Sequence, residues 1–320
     1  MTPLLDVRGL TKRFATATGG TVHALEDVSF TLHKGEVLGV VGESGCGKTT
    51  LGRTVLRLVE PTAGQVLFDG QDLVSLSPGA MKRRRRDMQI VFQDPFGSLN
   101  PRHTVRTLVG EPLTVHGEPD GPDRVAELLA MVGLPPEAAG RYPHEFSGGQ
   151  RQRIAIARAL ALSPRLLVAD EPVSALDVSI QSQIINLIAD LRTRLSLSML
   201  FISHDLSVIR HVSDRIAVMY LGRIVEIGPA ADIFERPTHP YTQALLSAVP
   251  RRPGEAARER IVLEGDLPDP AAPPPGCAFH GRCRHAMPRC GTDRPVLMQR
   301  DTPHGERIAA CHLYEPEERR

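Results

Sequence analysis

Short apolar runs alternate with longer amphipathic stretches along the chain, and this alternation predicts a parallel α/β core. Strand-like runs occupy residues 4–14 and 22–38, with a turn at Gly19-Gly20. Val37-Leu38-Gly39-Val40-Val41 reads as a buried strand, and Thr49 to Leu58 as the helix after it. Val66-Leu67-Phe68 predicts a short strand that ends in a turn at Asp69-Gly70. A helix follows over 79–87, then a strand over Met88 to Phe92. Between about Asp94 and Pro164 the pattern is helical, interrupted by Pro and Gly turns. The core resumes with a strand (Arg165–Ala169), a helix (Asp177–Leu195) and a strand (Met199–Ser203). After one more helix, Arg215 to Ile227 reads as two strands around Leu221-Gly222. Composition shifts near Pro250: residues 250–275, rich in Pro, Arg and Glu, read as a linker, and a run with four cysteines follows.

Composition narrows the class. With 320 residues and 41% apolar content, the chain can bury a large core. A net charge of +1 gives no reason to expect nucleic-acid binding. The one basic run, Lys82-Arg83-Arg84-Arg85-Arg86, has no interleaved aromatics and reads as a solvated helix face. The N-terminal residues lack a basic segment followed by an apolar run, and no apolar run approaches the ~18 residues that span a bilayer. The expectation is a cytosolic chain whose membrane role comes through a partner. In a reducing compartment, Cys277, Cys283, Cys290 and Cys311 argue for metal rather than disulfides.

The candidate chemistry begins at Gly42-Glu43-Ser44-Gly45-Cys46-Gly47-Lys48-Thr49, which has the spacing of a phosphate-binding P-loop between a strand and a helix. Glycines let backbone N–H groups approach phosphate oxygens, and the helix N-terminus adds the positive end of its dipole. Lys48 supplies charge for the β- and γ-phosphates, and the Thr49 hydroxyl is a Mg²⁺ ligand. The apolar strand Leu166-Leu167-Val168-Ala169 ends in Asp170-Glu171. In a P-loop protein the first acid holds Mg²⁺ through its water shell, and the second polarises the attacking water. A second anion site is read at Ser147-Gly148-Gly149-Gln150, where a serine and bare N–H groups open a helix from Gln150 to Leu162. Two separate phosphate binders in one chain suggest that two chains face each other, each completing the other's site.

With these motifs in order, the chain resembles the ATP-binding subunit of an ABC transporter over residues 4 to about 248. The resemblance implies a P-loop ABC ATPase fold: a RecA-like α/β core, an antiparallel β-subdomain and an inserted helical subdomain at about 94–164. It divides the chain into an ATPase domain (1–250) and a Cys-rich C-terminal extension (251–320). It implies that Gly42 to Lys48, with Thr49 and Thr50, bind ATP, that Phe14 stacks on adenine, and that Ser147, Gly148, Gly149, Gln150 and Asp177 contact the ATP of a facing subunit. Gln93, in Val91-Phe92-Gln93-Asp94-Pro95, matches the glutamine that touches Mg²⁺ and water; Thr49 and Asp170 complete the implied magnesium set. Glu171, Lys48 and His204, the last in Phe201-Ile202-Ser203-His204-Asp205, are the implied catalytic residues. Phe14 stands where many members have Tyr, and Phe146 where Leu is more usual.

Two C-terminal segments are similar to the dipeptide and oligopeptide importers of this family: Arg236-Pro237-Thr238-His239-Pro240-Tyr241-Thr242-Gln243, and Gly276-Cys277-Ala278-Phe279-His280-Gly281-Arg282-Cys283 with Cys290 and Cys311 beyond it. The cysteines are spaced Cys-x5-Cys-x6-Cys-x20-Cys, which is not a paired Cys-x2-Cys zinc pattern. The residues alone leave zinc, an iron–sulfur cluster and free thiols open; the resemblance implies a [4Fe–4S] cluster. It also implies ATP hydrolysis that drives peptide import at the cytoplasmic face of the membrane. The partners would be two permease subunits and a sister ATPase, with an extracytoplasmic binding protein acting indirectly. The rivals are a soluble ABC ATPase of translation or DNA repair, a non-catalytic ABC module, and the same importer with nickel, haem or glutathione as cargo.

Overall fold

The computed structural model describes residues 2–17, 19–249, 259–302 and 304–315. The elements run β1 (Leu5–Ala15), β2 (Thr21–Leu32), β3 (Val37–Val41), α1 (Lys48–Val55), β4 (Ala63–Phe68), β5 (Gln71–Asp72), α2 (Pro78–Arg84), β6 (Met88–Val91), α3 (Pro95–Ser98), α4 (Val105–His116) and α5 (Pro122–Met131). They continue α6 (Gly148–Leu160), β7 (Leu166–Asp170), α7 (Val178–Leu195), β8 (Ser198–Ile202), α8 (Leu206–Val212), β9 (Arg215–Tyr220), β10 (Arg223–Pro229), α9 (Ala230–Glu235), α10 (Pro240–Ser247), β11 (Met298–Thr302) and β12 (Gly305–Ala309). Among the described residues no helix is long and apolar enough to cross a membrane.

The chain forms two compact units. The first comprises Met1–Leu5, Leu32–Val37 and Phe68–Ser203. Its strands β6, β7 and β8 pair in parallel, with Met88 opposite Leu166 and Leu166 opposite Ser198. Every residue of β7 and β8 is buried, which explains their nearly unbroken apolar runs in the sequence. The helical stretch is a bundle of α4, α5 and α6, whose buried stripes include Leu108, Leu113, Leu128, Leu129 and Ile154. Buried residues at three- and four-residue spacing hold such helices together.

The second unit comprises Asp6–Thr31, Leu38–Leu67 and His204–Arg320. It contains a sheet in the order β2-β1-β4, and a run of strands in the order β3-β9-β10-β12-β11. The β3–β9 pair is parallel, with Val41 opposite Val218. Strand β10 turns back antiparallel on β9 through Leu221 and Gly222, both at positive φ (43° and 74°), as a tight two-residue hairpin requires. Helix α1 is shorter than the sequence suggests. It stops at Val55 because Arg57 adopts φ 50°, outside the helical range.

The hairpin of β11 and β12 has no counterpart in the sequence reading, and β12 pairs with β10. Met298-Gln299-Arg300-Asp301-Thr302 carries one apolar residue and no period-2 alternation, so no strand signal exists there. Of the expected linker, residues 250–258 lie outside the described residues, and 259–275 form no helix or strand.

Candidate nucleotide site and cysteine cavity

In the second unit, the apolar strand β3 delivers the loop Gly42–Gly47 to the start of α1. Gly47 has φ 104°, and a Cβ there would collide with the Ala24 carbonyl oxygen, so the position admits only glycine. The Gly222 N–H donates to the Cys46 carbonyl at 2.9 Å, tying the loop to the β9–β10 turn. Lys48 is 5% exposed, and its ammonium donates to the carbonyls of Gly42 (2.8 Å) and Glu43 (2.9 Å). Burial pushes the Cys46 thiol up, so it remains protonated beside Lys48. Phe14 is exposed, with the Lys12 ammonium 4.7 Å from its ring centre. His204 is exposed just before α8, whose N-terminus is capped by Asp205 accepting from Ser207 N–H at 2.7 Å.

In the first unit, buried Asp170 ends β7, and Glu171 follows in a left-handed conformation (φ 47°). Its N–H donates to the Ile202 carbonyl at 3.0 Å, so the turn is anchored on β8. The Gln93 amide donates to the Glu171 carboxylate at 3.0 Å, joining two residues that the sequence separates by 78 positions. A left-handed conformation at a non-glycine residue stores strain, and such strain clusters at functional sites.

The same unit holds the second anion-binding candidate. Ser147 Oγ accepts from Gln150 N–H (3.3 Å), and Gln150 Oε1 accepts from Ser147 N–H (3.0 Å). This reciprocal box opens α6. Gly149 packs so closely on α7 that an added Cβ would stand 2.5 Å from Ile180 Cγ2, and a Cβ on Gly148 would stand 3.2 Å from Leu176 Cδ2. The Ser147–Gln150 turn therefore lies against the Ser174–Asp177 segment and the start of α7. Leu176 is held in turn by Gln181, whose amide donates to its carbonyl at 3.0 Å.

Cys277, Cys283, Cys290 and Cys311 line one small cavity, together with His239, His280, His285 and His312. Burial pushes the Cys277 thiol up to about 11 and the Cys311 thiol up to about 12, and the neighbouring thiols add to both shifts. The expected cluster finds no support in the placement of these side chains. Among the described residues no group of three or more His, Cys, Asp or Glu side chains stands in a position to hold a metal ion. Four thiols with neighbouring imidazoles are donors whose chemistry suits iron or zinc.

The contacts of three further residues could not be read from the sequence. Tyr241 Oη accepts from the Glu43 N–H at 2.9 Å, and Arg282 Nη1 lies 2.8 Å from the Glu43 carboxylate. Both partners are some 200 positions away in sequence, and no local pattern announces them. Glu226, wholly buried in β10, accepts from the N–H groups of Thr238 (2.8 Å) and His239 (2.9 Å). A carboxylate inside the apolar run Ile224–Ile227 is the trace it leaves in the sequence.

The family model for the ABC transporter matches residues 25–174, and that for the oligopeptide/dipeptide transporter C-terminal region matches residues 225–290. The chain is 54% identical to the oligopeptide transport ATP-binding protein AppF of Bacillus subtilis, over 97% of each. It is 55% identical to a putative peptide import ATP-binding protein of Brucella ovis, covering 93% of this chain and 95% of that one. Among solved structures, it is similar to the dimeric bacterial ABC transporter cassette MJ0796, with TM-score 0.65 and 31% identity, over 71% of this chain and 98% of the other. A second structure of that cassette, a dimeric post-hydrolysis state bound to ADP and Pi, gives a TM-score of 0.64. This chain belongs to the ABC transporter ATPase family, in the branch that carries the oligopeptide/dipeptide transporter C-terminal region.

Proposed function

We propose that the chain is the ATP-hydrolysing subunit of a peptide importer, acting from the cytoplasmic membrane surface on two permease subunits. As an ABC ATPase it hydrolyses ATP. The extension of peptide cargo to this chain rests on the names of its relatives and on the C-terminal region they share with it. The division proposed is an ATPase domain over 1–250, with its helical subdomain at about 94–164, and an extension over 251–320.

The observation that carries the catalytic reading is the Glu171 carboxylate, held in a left-handed turn and bonded to Gln93. In this reading Glu171 takes the proton of the attacking water, and Gln93 orients it. The loop Gly42–Thr50 receives the phosphates through its backbone N–H groups, with Lys48 supplying positive charge where negative charge develops. Phe14 stacks on the base, and His204 contacts the γ-phosphate. Thr49, Gln93 and Asp170 are the residues that would hold Mg²⁺, their hydroxyl, amide and carboxylate oxygens being donors suited to a hard cation that would neutralise phosphate charge. Ser147, Gly148, Gly149, Gln150 and Asp177 close over the nucleotide of a facing subunit, whether a second copy or a sister chain. Cargo reaches the permeases from an extracytoplasmic binding protein, and this chain does not touch it.

The test is peptide uptake and ATP hydrolysis in vesicles holding the full transporter. Lys48→Ala abolishes both while circular dichroism stays unchanged. Turnover at the wild-type rate in that variant overturns the site. Uptake of nickel, haem or glutathione without uptake of peptides overturns the cargo.

An iron–sulfur cluster on Cys277, Cys283, Cys290 and Cys311 is supported by the resemblance and by their shared cavity, though not by ligand geometry. Iron and sulfide analysis of protein purified without air decides it. About four of each per chain supports a cluster, and none refutes it.

A further inference from the structure

We propose that Arg282 is a positioning residue for the nucleotide loop. From a segment outside the ATP-binding motifs, it fixes Glu43 and neutralises a carboxylate placed among phosphate-binding groups. The inference rests on the reading of Gly42–Thr49 as that loop.

Glu43 is held at three points. Its N–H donates to Tyr241 Oη (2.9 Å), its carbonyl accepts from Lys48 Nζ (2.9 Å), and its carboxylate pairs with Arg282 Nη1 (2.8 Å). The Arg282 side chain is 11% exposed and the Glu43 side chain 27%, so solvent screens the pair only partly.

Aromatic packing sets where the guanidinium stands. Phe279, three residues earlier and 2% exposed, packs on Tyr220 (5.3 Å between ring centres) and on Tyr241 (5.4 Å). Tyr220 and Tyr241 meet edge-on at 4.7 Å. The trio seats the turn His280–Arg282 behind the loop. Tyr241 and Arg282 thus grip one P-loop residue by its backbone and by its side chain.

Two physical consequences point the same way. The loop contains glycines at residues 42, 45 and 47, so its own backbone imposes little order, and contacts must supply it. A loop that samples several conformations binds more weakly, in proportion to the fraction that is competent. An unpaired Glu43 carboxylate would also repel phosphate. Both effects act on nucleotide binding rather than on the water-attack step.

The experiment compares Arg282→Ala, Glu43→Gln and the double variant in the full chain. Affinity for a non-hydrolysable ATP analogue is read by calorimetry, and KM and kcat in the assembled transporter. Arg282→Ala should weaken binding and raise KM about 10-fold, the lower end for a charge-assisted hydrogen bond at a partly exposed site, with kcat within about twofold. The double variant should bind better than Arg282→Ala, because the stranded carboxylate is gone. A variant that melts lower but keeps wild-type affinity reveals only a structural anchor and overturns the proposal. So does a double variant no better than Arg282→Ala. Should Arg282→Ala not fold, Arg282→Gln takes its place in the same comparison. Lys48→Ala separates the two levels: if it retains nucleotide, the loop reading fails; if it loses nucleotide and Arg282→Ala does not, only the positioning role fails.

Discussion

Glu226→Ala is expected to be among the most damaging single substitutions in the second unit. The Glu226 carboxyl is wholly buried and accepts the N–H groups of Thr238 and His239, one on each oxygen. Burial pushes the carboxyl above the ordinary carboxylate range, so removing it relieves some desolvation. Truncation strands two buried donors, at about 1–3 kcal/mol each, and leaves a cavity in place of the lost side-chain atoms. The stranded donors outweigh the relief, for a net cost of about 2–4 kcal/mol. At about 2–4 °C per kcal/mol, the variant should melt roughly 4–16 °C below wild type. Glu226→Gln retains one acceptor but turns its amide N–H groups toward the other donor, so it should fall between the two. The assay is thermal unfolding of all three, with hydrogen exchange at Thr238 and His239, whose amides should exchange faster. A Glu226→Ala variant that melts within about 2 °C of wild type, or a Gln variant worse than Ala, would refute the reasoning.

Glu171→Gln should bind ATP but hydrolyse it about 10²–10⁴-fold more slowly, since Gln cannot accept the proton. Wild-type turnover would remove Glu171 from catalysis. Gly47→Ala should abolish nucleotide binding, because φ 104° and the Ala24 carbonyl leave no room for a Cβ; an unchanged calorimetric isotherm would contradict this. Gln93→Ala should lose peptide uptake more than basal hydrolysis, as Ala cannot bridge water and the Glu171 carboxylate. If uptake and stimulated hydrolysis in vesicles are both unchanged, Gln93 serves only to hold a strand end.

What could be read from the sequence was what lies contiguous in it. The loop Gly42–Thr49, the acid-tipped strand β7 and the Ser147 turn are short strings whose chemistry depends on neighbours in the chain. Strands β7 and β8 were legible because burial on both faces leaves an almost unbroken apolar run. The Leu221-Gly222 turn was legible because its conformation favours glycine. Glu43 illustrates the limit: it reads as one more loop residue, yet its partners are Tyr241 and Arg282. Long-range pairs leave no periodic mark in a single sequence. Cysteine spacing likewise gave the grouping of four thiols around one cavity but not the separation of their sulfurs, which depends on the turns between them.

The pairing of Glu226 with Ala309 has a temporal side. Strand β10 leaves the ribosome about 80 residues ahead of β12, an interval of roughly 4–16 s at a synthesis rate of about 5–20 residues per second. Throughout it, the N–H and C=O groups on the outer edge of β10 have no strand to pair with. An open, apolar edge is a template for joining another chain. The nascent protein therefore passes through a window of aggregation risk that closes only when its last hairpin docks, and a chain truncated before residue 298 would never leave that window.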